Sequence, residues 1–252
     1  MSHQATTLGS DMTTARSDRL GNRRRSRALE VQDEVKELIL RRRLVAGDPL
    51  PTESELVEEL GVGRNAVREA LKALQAVGIV DIRHGFGMFV GRMSLNGLVD
   101  ELAFHSRITM GDERSHLGYM IEIREALESG LVQLLIDRDP VAEPVVDEVL
   151  ERMEAEAKVG MVSPETDKLF HDALYRPLNN PLVGQLLGAF WDVYHQLRDD
   201  LGEPDEAPDD VARKHRDIRN AVVAADRDAA ASAMRAHFAG VRARLARLQE
   251  KN

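Results

Sequence analysis

Residues 50–91, LPTESELVEELGVGRNAVREALKALQAVGIVDIRHGFGMFVG, string together a capped short helix, a glycine turn, a second helix and two strands around a glycine-rich tip. Few folds accommodate that order. Thr52 precedes Glu53-Ser54-Glu55, a hydroxyl followed three residues on by a carboxylate, which is the pattern of a capped helix start. Leu56, Val57 and Leu60 give this helix its apolar face, and Gly61 ends it. After the turn Gly61-Val62-Gly63, the residues Val67, Ala70, Leu71 and Leu74 recur at i, i+3, i+4 and i+7, which predicts a helix with one buried stripe. Arg64, Asn65 and Arg68 fall on its first turn and away from that stripe, where they suit phosphates and base edges in a major groove. Gly78 stops the helix; Ile79–Ile82 and Met88–Val90 read as strands joined by Arg83-His84-Gly85-Phe86-Gly87. A winged helix-turn-helix follows, with Arg83, His84 and Gly85 set to meet DNA from the wing.

The overall charge of −9 seems to argue against a polyanionic partner, but its distribution removes the conflict. Residues 1–91 carry 14 Lys/Arg against 13 Asp/Glu, and the rest carries 20 against 30. Since phosphate attraction works within about 8 Å at physiological salt, the acidic excess elsewhere leaves a local basic face competent. Arg16, Arg19, Arg23, Arg24, Arg25 and Arg27 crowd the start of the chain, and residues 1–26 read equally as a disordered arm that tracks phosphates or as an uninvolved tail. The absence of cysteine removes disulfides and thiolate metal sites and fits a reducing cytoplasm. No apolar run has the length to cross a bilayer, and the first 27 residues hold no apolar signal core.

These residues resemble the DNA-binding domain of the GntR family of bacterial transcription regulators. Its helix start, turn, recognition helix and wing correspond here to Leu50-Pro51-Thr52-Glu53, Val62-Gly63-Arg64, Val67-Arg68-Glu69-Ala70-Leu71 and Gly85-Phe86-Gly87-Met88-Phe89-Val90. Two positions depart from the pattern: Gly63 replaces a hydroxyl residue, and Ser54 stands where some relatives carry an arginine.

Beyond a linker at 92–95 the periodicity turns wholly helical, so the expected architecture is mainly α: a winged helix-turn-helix at 27–91, then an all-α bundle at 96–249. Helices are predicted at 28–44, 53–60, 64–77, 96–105, 113–138, 141–159, 164–176, 181–200, 208–225 and 227–249, with Pro140, Pro164, Pro181 and Pro204 at breaks. Asp167 and His171 sit one helical turn apart on one face. His171 shares its side with Leu174 and Leu178, His215 lies between Val211 and Ile218, and His237 between Met234 and Val241. Three imidazoles aimed inward beside one aspartate satisfy their polar nitrogens by sharing a cation. Taken singly, each is an ordinary core histidine.

The stretches around Asp167–His171, His215 and His237 resemble the signature segments of the FCD ligand-binding domain, found in the FadR branch of the same family. The resemblance implies a divalent ion held by Asp167, His171, His215 and His237, with zinc, nickel and manganese all compatible with oxygen and nitrogen donors. It also implies Arg124 and Asn180 as effector residues. Arg124 reads equally as an i,i+4 partner of Glu128, and Asn180-Pro181 as a turn. His195, beside Trp191, reads as a surface histidine rather than a cavity one. The expectation is a cytoplasmic homodimeric repressor, not an enzyme, that binds an inverted-repeat operator and answers to a small organic or sugar acid at the metal-centred pocket. Direct metal sensing and metal-assisted hydrolysis are the alternatives, the latter lacking a recognisable nucleophile.

Overall fold

The computed structural model describes residues 27–110, 112, 115–138, 144–202 and 206–250. The residues of the N-terminal arm before Arg27, together with Pro140 and Pro204, lie outside this set. The chain divides into two compact units, one ending at Ser94 and the other beginning at Leu95. Leu95 is half-buried against the second core, so it belongs to the helical unit rather than to the linker in which the sequence places it.

The first unit opens with α1 (27–41), which buries Val31, Val35, Leu38 and Ile39 along one stripe. It ends three residues earlier than expected because Arg43 adopts φ 52° and the Leu44 N–H closes back on the Ile39 carbonyl. In α2 (Glu53–Leu60), Thr52 and Glu55 cap each other reciprocally, and Gly61 terminates the helix at φ 63°. Helix α3 (Arg64–Ala76) buries Val67, Ala70, Leu71 and Leu74. The wing is β1 (Val80–Arg83) paired antiparallel with β2 (Gly87–Val90), in the register Val80↔Val90 to Arg83↔Gly87. Segment 47–50 lines the other edge of β2, through Gly47 N–H to Val90 O, Val90 N–H to Asp48 O and Leu50 N–H to Met88 O. Sequence alternation could not reveal so short a partner. The strands close on the helix where Gly91 meets Gly78: a Cβ at position 91 would lie 1.9 Å from the Gly78 carbonyl oxygen, so only glycine fits.

The second unit is helical throughout its described residues. It comprises α4 (Asn96–Ile108), α5 (His116–Asp137), α6 (Pro144–Lys158), α7 (Pro164–Tyr175) with a 3-10 turn (Arg176–Leu178), α8 (Pro181–Gln196), α9 (Arg198–Leu201), α10 (Pro208–Val223), α11 (Arg227–His237) and α12 (Ala239–Glu250). Helix α10 packs on α6 and α11, α11 on α5, α4 on α8 and α6 on α7, around Leu117, Val132, Leu150, Met153, Phe170, Val193, Ile218 and Met234. Two helices expected to be continuous are divided. The run 181–200 breaks at Leu197, whose N–H is shared between the Val193 and Tyr194 carbonyls, and both Leu197 and Leu201 are buried. The run 227–249 breaks at Phe238, which is itself buried.

Helix α7 is positioned by a device at its start. Ser163 caps it by accepting from Thr166 N–H, while Glu156, near the end of α6, accepts from Ser163 N–H at 2.8 Å and from the Thr166 hydroxyl at 2.8 Å. Glu156 thereby ties two helices together and sets the angle at which Asp167 and His171 enter the core.

Candidate functional site

Four helical positions from three separate segments meet in the second unit. Asp167 and His171 come from α7, His215 from α10 and His237 from α11, and one ligand atom from each lies within 4.8 Å of all the others. The rings are mutually close, with centroids 4.6 Å apart for His215 and His237 and 5.1 Å for His171 and His237. Phe170 packs edge-on against both His171 and His215 at 5.4 and 4.8 Å, closing one side of the cluster with apolar surface.

The hydrogen bonds determine which nitrogen each ring turns inward. His215 Nδ1 lies 2.7 Å from the Val211 carbonyl. A carbonyl only accepts, so Nδ1 carries the proton and Nε2 faces the cluster, 2.8 Å from Asp167 Oδ1. Asp167 Oδ2 accepts from Trp191 Nε1–H at 3.3 Å. His171 Nδ1 sits 2.5 Å from Glu128 Oε2, though off hydrogen-bond geometry, and its Nε2 is buried with no partner. An orphaned imidazole nitrogen beside a carboxylate and two further imidazoles is what a divalent ion would complete, and oxygen plus nitrogen donors suit that class of ion. The residues present therefore fit a metal.

The charges of the cluster act strongly on one another. Burial pushes the Asp167 carboxyl up, but His215, then His171 and His237, overcome it and hold the group well below the usual range. Burial holds the His237 imidazole well below its ordinary value, helped by His215 and His171, so it is a neutral ring with a free lone pair at pH 7. Glu128 is fully buried; the cost of that burial is outweighed by His171 and by Arg124, which donates to Oε1 at 2.7 Å, and its carboxyl is depressed. Tyr175 donates its hydroxyl to Glu128 Oε2 at 3.1 Å, and burial with that carboxylate pushes the phenol well above its usual range.

The cluster forms part of the wall of a cavity of about 660 Å³, whose lining includes Arg124, Asp167, Trp191, His215, His237 and Arg244. Arg124 satisfies both readings of it at once, since it is paired with Glu128 and also borders the cavity. Asn180 does not border it. Its side chain is exposed and accepts from Leu182 N–H as the N-cap of α8, so the asparagine that the resemblance marks for an effector is a helix cap here. His195 is exposed and stacked on Trp191, with centroids 5.4 Å apart. Three residues of the site that sequence reasoning did not single out are Glu128, which lies against His171, and Tyr194 and Arg244, which border the cavity. Glu128 could have been found: it stands seven residues after Ile121, four before Val132 and seven before Leu135, a carboxylate on an apolar stripe.

In the first unit, Arg64, Asn65 and Arg68 are exposed on the opening turn of α3, and Arg68 Nη2 comes within 3.6 Å of Glu53 Oε2. Gly63 offers no side-chain cap; its carbonyl accepts from Ala66 N–H at 2.9 Å, which leaves the N–H groups of Arg64 and Asn65 to an outside acceptor such as a phosphate. On the wing, Arg83 is exposed but committed, pairing with Asp81 at 2.8 Å and lying 4.4 Å over the Phe89 ring. His84, Gly85 and Phe86 form the exposed tip.

Comparison with known proteins agrees with this division. The profile of the bacterial regulatory proteins, gntR family, matches residues 27–90, and that of the FCD domain matches residues 119–240. The HTH-type transcriptional repressor NanR of Cronobacter sakazakii is 30% identical over 88% of this chain and 86% of its own length. A putative L-lactate dehydrogenase operon regulatory protein of Escherichia coli is 27% identical over 88% and 87%. Among solved structures, Streptococcus agalactiae GntR superposes with a TM-score of 0.58 at 24% identity, over 86% of this chain and 99% of that one, which shows the fold.

Proposed function

This chain belongs to the GntR family of bacterial transcription regulators, with an FCD domain as its helical unit, and from that premise we propose a homodimeric repressor controlled by a small carboxylate at a metal-centred pocket. Members of this family act by binding operator DNA, and the relatives found are regulators of transcription rather than enzymes. The reading adds three things: two winged helices that engage an inverted repeat, a divalent ion in the helical unit, and an organic or sugar acid that lowers affinity for the operator. A two-fold protein matches a two-fold site, which motivates the dimer.

The observation that carries the reading is the convergence of Asp167, His171, His215 and His237, of which Asp167, His215 and His237 line a cavity large enough for a small acid. Those four side chains would hold the ion, which would supply a Lewis-acidic centre for a carboxylate oxygen. Zinc, nickel and manganese all suit the donor set. One relative is named for an L-lactate dehydrogenase operon, and lactate is a small hydroxy acid of the class proposed. Acid binding changes operator affinity only if the DNA-competent and DNA-incompetent forms bind the acid unequally. The absence of cysteine suits work in a reducing cytoplasm. No helix among the described residues is long and apolar enough to cross a membrane.

Mass spectrometry of the metals and small acids retained by the purified protein tests this, followed by mobility shifts on DNA upstream of its own gene. The expected result is one bound divalent ion and acid-dependent release of DNA. Release by metal alone would replace the acid with the ion as the signal, and turnover of the acid would make the bundle an enzyme. Unfolding of the bundle on chelation would make the ion a structural staple.

A further inference from the structure

Arg244 is the one strongly buried cation of the cavity wall that no carboxylate pairs with among the described residues. Its residue is 6% exposed. Nε donates to the Leu201 carbonyl at 3.1 Å and Nη1 to the Tyr194 hydroxyl at 2.9 Å, both neutral acceptors. The other cations bordering the cavity are differently placed. Arg124 is neutralised by Glu128, Lys214 by Glu206, and Arg198 is exposed to water. A guanidinium has five N–H donors, and two of Arg244's are engaged. A buried cation without a counter-anion is costly, and the cost is recovered when an anion arrives with matching geometry.

The position of Arg244 sets where that anion binds. His237 and Arg244 both border the cavity from two separate helices, α11 and α12, which are divided at Phe238. Val241, between them in sequence, also lines the cavity. The wall thus presents a metal-ligating cluster and, apart from it, a guanidinium that no carboxylate pairs with, while the Glu206 carboxylate beside Gly240 is paired with Lys214.

We propose that the effector is a dianion, a linear acid with an anionic group at each end, one carboxylate received at the Asp167–His171–His215–His237 cluster and the second anion received by Arg244. This rests on the metal-centred pocket proposed above and narrows its ligand from carboxylates in general to dicarboxylates or phosphorylated acids.

Calorimetry on the zinc-loaded full chain tests the proposal, using dicarboxylates of four to seven carbons, the monocarboxylates of equal length and their hydroxylated counterparts. Wild type is expected to prefer a diacid over its matched monoacid by about ten- to a hundredfold, the value of one charge-assisted pair. Arg244→Met should erase that preference while leaving the monoacid affinity unchanged. Arg244→Lys, which keeps the charge and guards against a folding defect in the methionine variant, should retain part of it. Equal affinities in wild type would overturn the dianion, as would a preference that survives Arg244→Met. So would a melting temperature lowered by Arg244→Met with discrimination intact, which would make Arg244 a strut between α12 and α9. If no acid of either series binds, while zinc does, the carboxylate pocket itself fails and this inference with it.

Discussion

Glu128 Oε2 lies 2.5 Å from His171 Nδ1, and both groups are sealed from solvent in the second unit. The carboxylate is held in turn by Arg124 and by the Tyr175 hydroxyl. A carboxylate beside Nδ1 attracts a proton to that nitrogen even off hydrogen-bond geometry, which would leave the Nε2 lone pair for an ion shared with Asp167, His215 and His237. Glu128 is therefore a positioning residue for a metal ligand. Glu128→Gln should weaken divalent-ion affinity about 10- to 100-fold, the usual cost of losing an outer partner, as read by competition with a chelating dye. Glu128→Ala should do more, lowering stability by about 3–5 kcal/mol because Arg124 is left buried and unpaired. Unchanged affinity in the glutamine variant would reduce Glu128 to a counter-ion of Arg124.

Trp191 is the single tryptophan of the chain and donates to Asp167 Oδ2. Binding of zinc or nickel at Asp167 should alter its emission in a saturable titration with a stoichiometry of about one ion per chain. Asp167→Asn and His237→Ala, which remove ligands rather than their supports, should cost more than the roughly 100-fold upper range expected for Glu128→Gln. A flat emission trace, with no retained metal by mass spectrometry, would refute the cluster as a metal site.

Arg64 and Arg68 stand exposed at the head of α3, with the buried stripe of that helix on the other side. Replacing both by alanine should abolish sequence-specific mobility shifts while leaving the melting of the helical unit unchanged. A milder test is the single variants, each expected to lose about 1–3 kcal/mol if it contacts a base, or to lower the salt slope by about 1 per phosphate contact removed. Retained specific binding in the double variant would move the recognition surface elsewhere.

Glu156 gives a pH signature of its own. Burial pushes its carboxyl up, but hydrogen bonds from Ser163 N–H, the Thr166 hydroxyl and Arg152 bring it down to about 2. A depressed folded-state pKa means that the unfolded chain takes up the proton first. The stabilisation is thus complete above the unfolded value of about 4.3 and fades as pH falls towards 2. Glu156→Gln should cost about 1–2 kcal/mol at pH 7, and the gap from wild type should narrow below pH 4 in urea melts. A gap constant from pH 7 to pH 3 would show that packing, not ionisation, accounts for the difference.

Much of this was legible in the chain itself, because local rules govern it. Thr52 and Glu55 write a helix start, Gly61 and Gly78 write stops, and the spacing of Val67, Ala70, Leu71 and Leu74 decides which face of α3 is buried and so which face carries Arg64, Asn65 and Arg68. The inward aim of His171 and His215 was readable from their apolar neighbours for the same reason, helical period. Periodicity reports direction about an axis and nothing about what stands across from it. Only the packing of α5, α7, α10 and α11 decided that Glu128 faces His171, and only the turns at Leu197 and Phe238 bring Arg244 to the Leu201 carbonyl on the cavity wall. Asn180 marks the same boundary from the other side: its sequence context suits both a pocket and a helix cap, and the tertiary fold, by leaving it exposed at the start of α8, made it a cap. Contacts between residues far apart in sequence depend on the relative placement of whole helices, which is set by the sum of many small packing energies rather than by any local pattern.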